Sequence, residues 1–209
     1  MPERGSNMDK DQVIALLQRE YRDREEKEVW QERLDMYDPK KRITYTLEQL
    51  IDGIKSGEQY IYFLKLLFET REVLGGQWKI PYILDFFDVE NHEKELLQLF
   101  SNRRNVNLSV MSIPVEQIQL PNDGWISRSI QALNTYNLKI KVLKTQSINQ
   151  LDYFCYEMPA KDGSVYNVQF RIVKKEHVCV GNYNCMLDDK DGKGLLIEAM
   201  VCVMEELNR

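Results

Sequence analysis

Apolar residues recur at helical spacing through the first hundred residues and at every second position between about 136 and 185, so the chain changes its pattern near residue 105. From Asp9 onward, Val13, Leu16, Leu17 and Tyr21 fall at i, i+3, i+4 and i+8, on one face of a helix. The charged run at 22–28 carries that helix across a solvated surface, with Val29, Trp30 and Leu34 as a sparse apolar stripe, and Asp38-Pro39 stops it. Thr46-Leu-Glu-Gln49 and Ser56-Gly-Glu-Gln59 both have the form of a capping box, in which a hydroxyl accepts from the third amide and the third side chain reaches back. The second box predicts a buried helix over 60–68 that ends at Gly75-Gly76, where left-handed dihedrals are tolerated. A short helix or turn comes next at Tyr82, Ile83, Leu84, Phe86 and Phe87, and then a helix from about Asn91 bearing Leu96, Leu97 and Phe100.

Residues 108–121 read as an extended crossing segment, after which Asn122-Asp123-Gly124 caps a short helix presenting Trp125 or Ile126, Ile130 and Leu133. Leu138, Ile140 and Val142 alternate with Lys139 and Lys141, the pattern of a strand wet on one side. Strands at 153–158 and 165–173 flank Lys161-Asp162-Gly163-Ser164, and Asp-Gly between apolar runs is a hairpin signal. A fourth strand falls at 178–183, and Leu195, Leu196, Ile197, Ala199, Met200, Val203, Met204 and Leu207 close the chain in a helix too apolar to be exposed. The expected fold class is α+β: an N-terminal helical subdomain at 9–104 followed by a four-stranded antiparallel sheet flanked by helices at 105–209, with one composite domain as the default. Residues 1–8 are expected to be a tag remnant or a disordered start, with the natural start at Met8.

Composition adds boundaries rather than motifs. With 43% hydrophobic, 29% charged and 10% aromatic residues in 209, the chain has what a globular core requires. The formal charge of −5 argues against non-specific nucleic-acid binding, which needs a basic surface to release counterions. Lys139, Lys141 and Lys144, or Arg171, Lys174 and Lys175, could form a basic edge, but charges on the wet face of a sheet are the simpler account. The four cysteines (155, 179, 185 and 202) sit in apolar segments without a disulfide pattern and read as reduced thiols. Together with the lack of an apolar run long enough to span a bilayer, this leads to an expected cytoplasmic location with no membrane association.

Three constellations could carry chemistry. Asp189, Asp191 and Glu198 fall at positions three, five and twelve of a calcium loop aligned on Gly192, but Leu187 stands where the first carboxylate should be. His177, Cys179 and Cys185 lie on a strand, where i and i+2 face the same way; zinc would need Cys155 or Cys202 as well, at a spacing that matches no standard module. A thiol nucleophile with His177 as base would point its two groups outward in parallel. Around His92, Asp85, Asp88, Glu90, Glu93 and Glu95 form a carboxylate-rich stretch that a solvated helix would also produce.

None of these amounts to a catalytic or metal motif, and no cofactor is implied. The sequence thus leads to a non-enzymatic cytoplasmic protein-binding module, of the adaptor, secretion-chaperone-like or immunity and inhibitor kind, that turns an acidic surface toward a basic partner. Trp30, a large ring in the most polar helix, is the expected partner anchor. The alternative is a metal-dependent hydrolase or nuclease with scattered carboxylates, and a third reading is a small-ligand sensor using the sheet as a platform.

Overall fold

The computed structural model describes residues 19, 21–22, 24–30, 44–117, 124–136, 138–161 and 163–209. The chain divides into two compact units, residues 1–43 and 44–209. In the first, residues 24–30 are helical, as the periodicity predicts. Residues 19 and 21–22 are helical as well; the other positions of that helix, its Asp38-Pro39 stop and the Asn122-Asp123 cap lie outside the described residues.

The second unit opens with helix α1 (Leu47–Ser56), and here the first capping box is real: Thr46 Oγ1 accepts from the Gln49 amide at 3.2 Å while the Thr46 amide donates to Gln49 Oε1 at 3.0 Å. The second box is not a helix start. Ser56 is the last residue of α1, and Gly57, at φ 87°, is its left-handed C-cap. After α1 the chain forms not a helical subdomain but six consecutive strands: β1 (Glu58–Ile61), β2 (Leu64–Val73), β3 (Trp78–Ile83), β4 (Val89–His92), β5 (Leu96–Ser101) and β6 (Val106–Pro114). Gly75 and Gly76, at φ 69° and 78°, turn β2 back into β3 instead of ending a helix. Strands β1, β2 and β3 form a three-stranded antiparallel sheet of their own.

Beyond β6 come helix α2 (Trp125–Thr135) and the strands β7 (Lys141–Ile148), β8 (Leu151–Ala160), β9 (Gly163–Val173) and β10 (His177–Met186); the last three lie where expected but run longer at their ends, whereas β7 begins at Lys141 and meets the expected strand at 138–142 only in its first two residues. They do not make a sheet of four. β10 pairs with β6, so the meander joins β4, β5 and β6 in one antiparallel sheet of seven strands ordered β4-β5-β6-β10-β9-β8-β7, which runs without a break across residues 104–105. The mixed α+β class holds; the sheet count does not. After β10 the chain makes a tight turn (Leu187–Asp189) and a wider one (Lys190–Gly194) into helix α3 (Leu195–Glu206).

Period-two alternation puts Leu97 and Leu99, Val106, Leu108 and Val110, Cys179 and Tyr183, Val168, Phe170 and Ile172, and Leu151 and Tyr153 into the main core. α3 lies in that core, packed against α1, β3, β9 and β10. Phe154 and Tyr156 point to the other face and meet Trp125 of α2 in a smaller cluster, with Phe154 stacked on Tyr156 at 5.4 Å between centroids. No helix among the described residues is long and apolar enough to cross a membrane.

In the centre of the large sheet, Gly181 leaves room for its neighbours: a Cβ there would run into the Phe170 ring and sit 2.8 Å from Val110 Cγ1, where Phe170 packs edge-on against Tyr183 at 5.0 Å. Gly181→Ala should therefore lower the unfolding free energy by about 1–3 kcal/mol through overpacking. Urea titration should show the midpoint falling with the slope unchanged.

Candidate functional site

The polar groups with chemical potential collect where the turn after β10 leads into α3. Glu198, in the first turn of α3, is 2% exposed. Its carboxylate is bonded by Lys144 Nζ from β7 and accepts from the Tyr153 hydroxyl at 2.7 Å, with Cys155 Sγ 3.9 Å away. The helix N-terminus favours a carboxylate in this position. A few residues earlier, buried Asp189 accepts from Tyr62 Oη at 2.9 Å and pairs with Lys193 at 2.6 Å. Tyr62 reaches it from the β1–β2 turn, held at φ 55° with its amide donating to Tyr45 Oη at 2.5 Å, and its ring passes so close to Gly192 that a Cβ there would collide.

Burial dominates the acid–base character of this region. It pushes the Cys155 thiol up to about 12, reinforced by the Glu198 charge, and Cys202 up to about 11 by the same two causes. Tyr153 and Tyr166 are driven well above their ordinary value, by burial first and then by the carboxylate or thiol beside them. Burial likewise raises Cys179 and Cys185. A thiol held protonated is neither a nucleophile nor a soft ligand.

The sequence candidates end in separate places. Cys179 and Cys185 lie on one core-facing side of β10 but six residues apart, roughly 20 Å along a strand, too far to share an ion. His177 begins β10 opposite Pro114, with a buried Nδ1 that has no hydrogen-bond partner. Asp189 and Glu198 are engaged by different cations, and Asp191 is exposed on the turn between them. Among the described residues no three His, Cys, Asp or Glu side chains converge as a metal would require. The His92 stretch is the β4–β5 hairpin rather than a helix. There Glu90 accepts from His92 Nε2 at 2.8 Å and from Tyr82 Oη, while Arg71, stacked 3.2 Å above the Tyr82 ring, lies 3.6 Å from the carboxylate. Burial pushes Glu90 upward, but those hydrogen bonds and the Arg71 charge prevail and hold it below its ordinary value.

Sequence reasoning missed the Glu198 and Asp189 ties. The signal was a single carboxylate inside Leu195-Leu-Ile-Glu-Ala-Met-Val-Cys-Val-Met204, because a charge in an otherwise buried helix requires a partner.

Outside the core, apolar side chains stand in the open. Trp30 is 64% exposed. On the three-stranded sheet, Tyr60, Leu67 and Leu84 share an exposed face, with Phe63, 57% exposed, in the turn beside them. Glu58 and Glu69 lie on the same face, paired with Lys65 and Arg71, and Asp85 is exposed just after Leu84.

No family model matches the chain, and no curated protein matches it. Among solved structures it is similar to PA94, a Pseudomonas aeruginosa protein of unknown function, at 11% identity and a TM-score of 0.41 over 64% of this chain and 94% of that one. A likeness that distant says nothing of what this chain does.

The buried groups make two outcomes measurable. All four thiols should resist a disulfide reagent at pH 8 in the folded protein and react together on unfolding; because their folded values lie above the ordinary thiol value of 9.0, the stability they confer is present below it and is lost as the pH rises past it. Lys144→Met leaves Glu198 buried without its cation and should cost about 1–3 kcal/mol in denaturant titration, less than a sealed pair because the Lys144 side chain is 36% exposed.

Proposed function

We propose that this chain is a non-enzymatic cytoplasmic protein-binding module, of the adaptor, chaperone-like or immunity and inhibitor kind, whose partner presents a basic surface. The observation that carries the reading is the exposed apolar face formed by Tyr60, Leu67 and Leu84, with Phe63 beside it and Glu58, Glu69 and Asp85 on or next to that face. Aromatic side chains of this kind act as interface anchors, and a carboxylate rim steers a basic partner and fixes its register. Support also comes from the core, where all four thiols are buried and the Tyr153 hydroxyl and Cys155 thiol are bonded to buried Glu198. Trp30 offers a second anchor, in the N-terminal unit.

Native mass spectrometry of the protein taken from its own cells without chelator should show a stoichiometric protein partner and no divalent ion. With that partner in hand, Phe63→Ala and Trp30→Ala should each weaken binding by more than about 1 kcal/mol, roughly fivefold, with the melting temperature unchanged, and the association rate should fall as salt rises. A bound divalent ion with no partner, or affinity indifferent to both substitutions, would overturn the reading.

A further inference from the structure

The large sheet ends on one side in β4, a strand of four residues, and on the other in β7, which has eight and, among the described residues, pairs only with β8. Every β7 residue except Lys144 is exposed. An edge strand of that length presents a row of unpaired amides and carbonyls, and natural sheets normally blunt such an edge with charge or a bulge. β7 has a register irregularity between Val142 and Lys144, yet from Lys144 to Ile148 it runs regularly against Cys155 to Leu151, so five consecutive residues form an open ladder.

Two features say what fits there. The first is charge: between Gly124 and Leu151 the charged residues are Arg128, Lys139, Lys141 and Lys144, with no Asp or Glu, in a chain that is acidic as a whole. Lys141, 72% exposed along its side chain, lies 3.5 Å from Glu157, which is 20% exposed, and Lys144 is paired with buried Glu198, so Lys139 and the outer part of Lys141 give the exposed edge its positive character. The second is apolar surface: Val142, Leu143 and Ile148 are exposed on the strand, with Tyr136 and Leu138 exposed just before it. The edge is also held in place from within, by Lys144 on Glu198 and by Ser147 Oγ donating to Asp152 at 2.6 Å, so a ligand strand meets a preformed template.

We infer that β7 is a docking edge for an extended, acidic segment of a partner protein, which adds to the sheet as an eighth strand with alternating carboxylate and aliphatic side chains. Main-chain hydrogen bonds supply the affinity in this mode, and alternate side chains supply selectivity. A second copy of the chain fits less well, because paired antiparallel across 144–148 it would bring the uncharged Ile148 end of one strand beside the lysine end of the other and offer those lysines no carboxylate. The inference rests on the protein-binding reading and gives it a second surface, opposite in charge to the first.

The test uses the full chain and an acetylated, amidated peptide as long as β7 that alternates glutamate and valine. Hydrogen exchange should slow at least tenfold across 144–148 when the peptide is added. Binding followed by fluorescence anisotropy should weaken at least tenfold when alternate peptide amides are methylated, and several-fold in Lys139→Glu/Lys141→Glu. Three results would overturn the inference: equal binding of the methylated peptide, which would mean charge attraction alone; protection of β7 that grows with protein concentration and needs no peptide, which would mean self-association; or no protection at 144–148. A native partner that protects 60–67 and leaves 144–148 exchanging freely would likewise remove the β7 site, while leaving the protein-binding reading intact.

Discussion

The fold depends on one constraint: α3 is apolar on nearly every side and cannot face water on any of them. Leu196 through Glu205 are all buried. A surface helix needs cover along one stripe only; a helix like this must be enclosed. The large sheet covers it through β9 and β10, α1 lies along it, and the three-stranded sheet closes the remaining side through β3. α1 and the three-stranded sheet are thus the lid of a core whose floor is the large sheet, and residues of both belong to one continuous cluster.

Enclosure on all sides leaves the helix free to slide or rotate unless something polar fixes it, and the few polar residues of α3 and its end do so. Glu198 ties its start to β7 and β8. At its end Asn208 donates to the Lys79 carbonyl at 2.7 Å and accepts from the Lys79 amide at 3.0 Å and from Lys174 Nζ at 2.9 Å, joining the helix to β3 and to the loop after β9. Buried polar groups are costly unless satisfied, so these ties penalise every other register of the helix. The same environment silences the chemistry: burial that stabilises α3 also raises the thiols around it, and a carboxylate needed to orient the helix is not available as a general base.

How far the sequence could be read depends on the same geometry. α2, β8, β9, β10 and α3 were legible because their environments are uneven in the expected way; β7, exposed at every residue but Lys144, meets the expected strand only at Lys141 and Val142. Alternation marks a strand with two unlike faces, and an unbroken apolar run marks an enclosed helix. The strands of the first half were not. In β2, Leu66 and Phe68 face the core while Leu67 is exposed, so the alternation is masked by a leucine on the outer side and the run looks apolar all round. The segment around β4 and β5 is rich in Glu, Lys and Leu, all good helix formers, and is held as a hairpin by pairing with β6, a partner that local propensity cannot register. Gly57 and Gly75-Gly76 did announce turns, but a left-handed glycine ends a helix and reverses a hairpin equally well. The candidate metal residues were legible as residue types and not as a site: Cys179 and Cys185 are parted by their six-residue spacing along one extended strand, and the sheet order, which the sequence does not display, puts Lys144 of β7, at the far edge of the sheet from β4, over Glu198.

The interior ties bear on the surface as well. A long edge strand is ordinarily the first part of a sheet to fray, because half of its backbone groups have only water for partners. β7 is joined to the most protected element of the molecule by the Lys144–Glu198 ion pair, so the edge is stiffened by a charge placed to solve a different problem, the orientation of α3. Lysine at an edge is usually a guard against unwanted pairing. Here Lys144 is turned inward onto Glu198 and Lys141 outward beside Glu157, and the result is an edge ordered enough to serve as a template. The opposite end of the charge distribution, around Tyr60 and Phe63, rests on the lid that α3 required. Both exposed surfaces are therefore consequences of how one buried helix was enclosed.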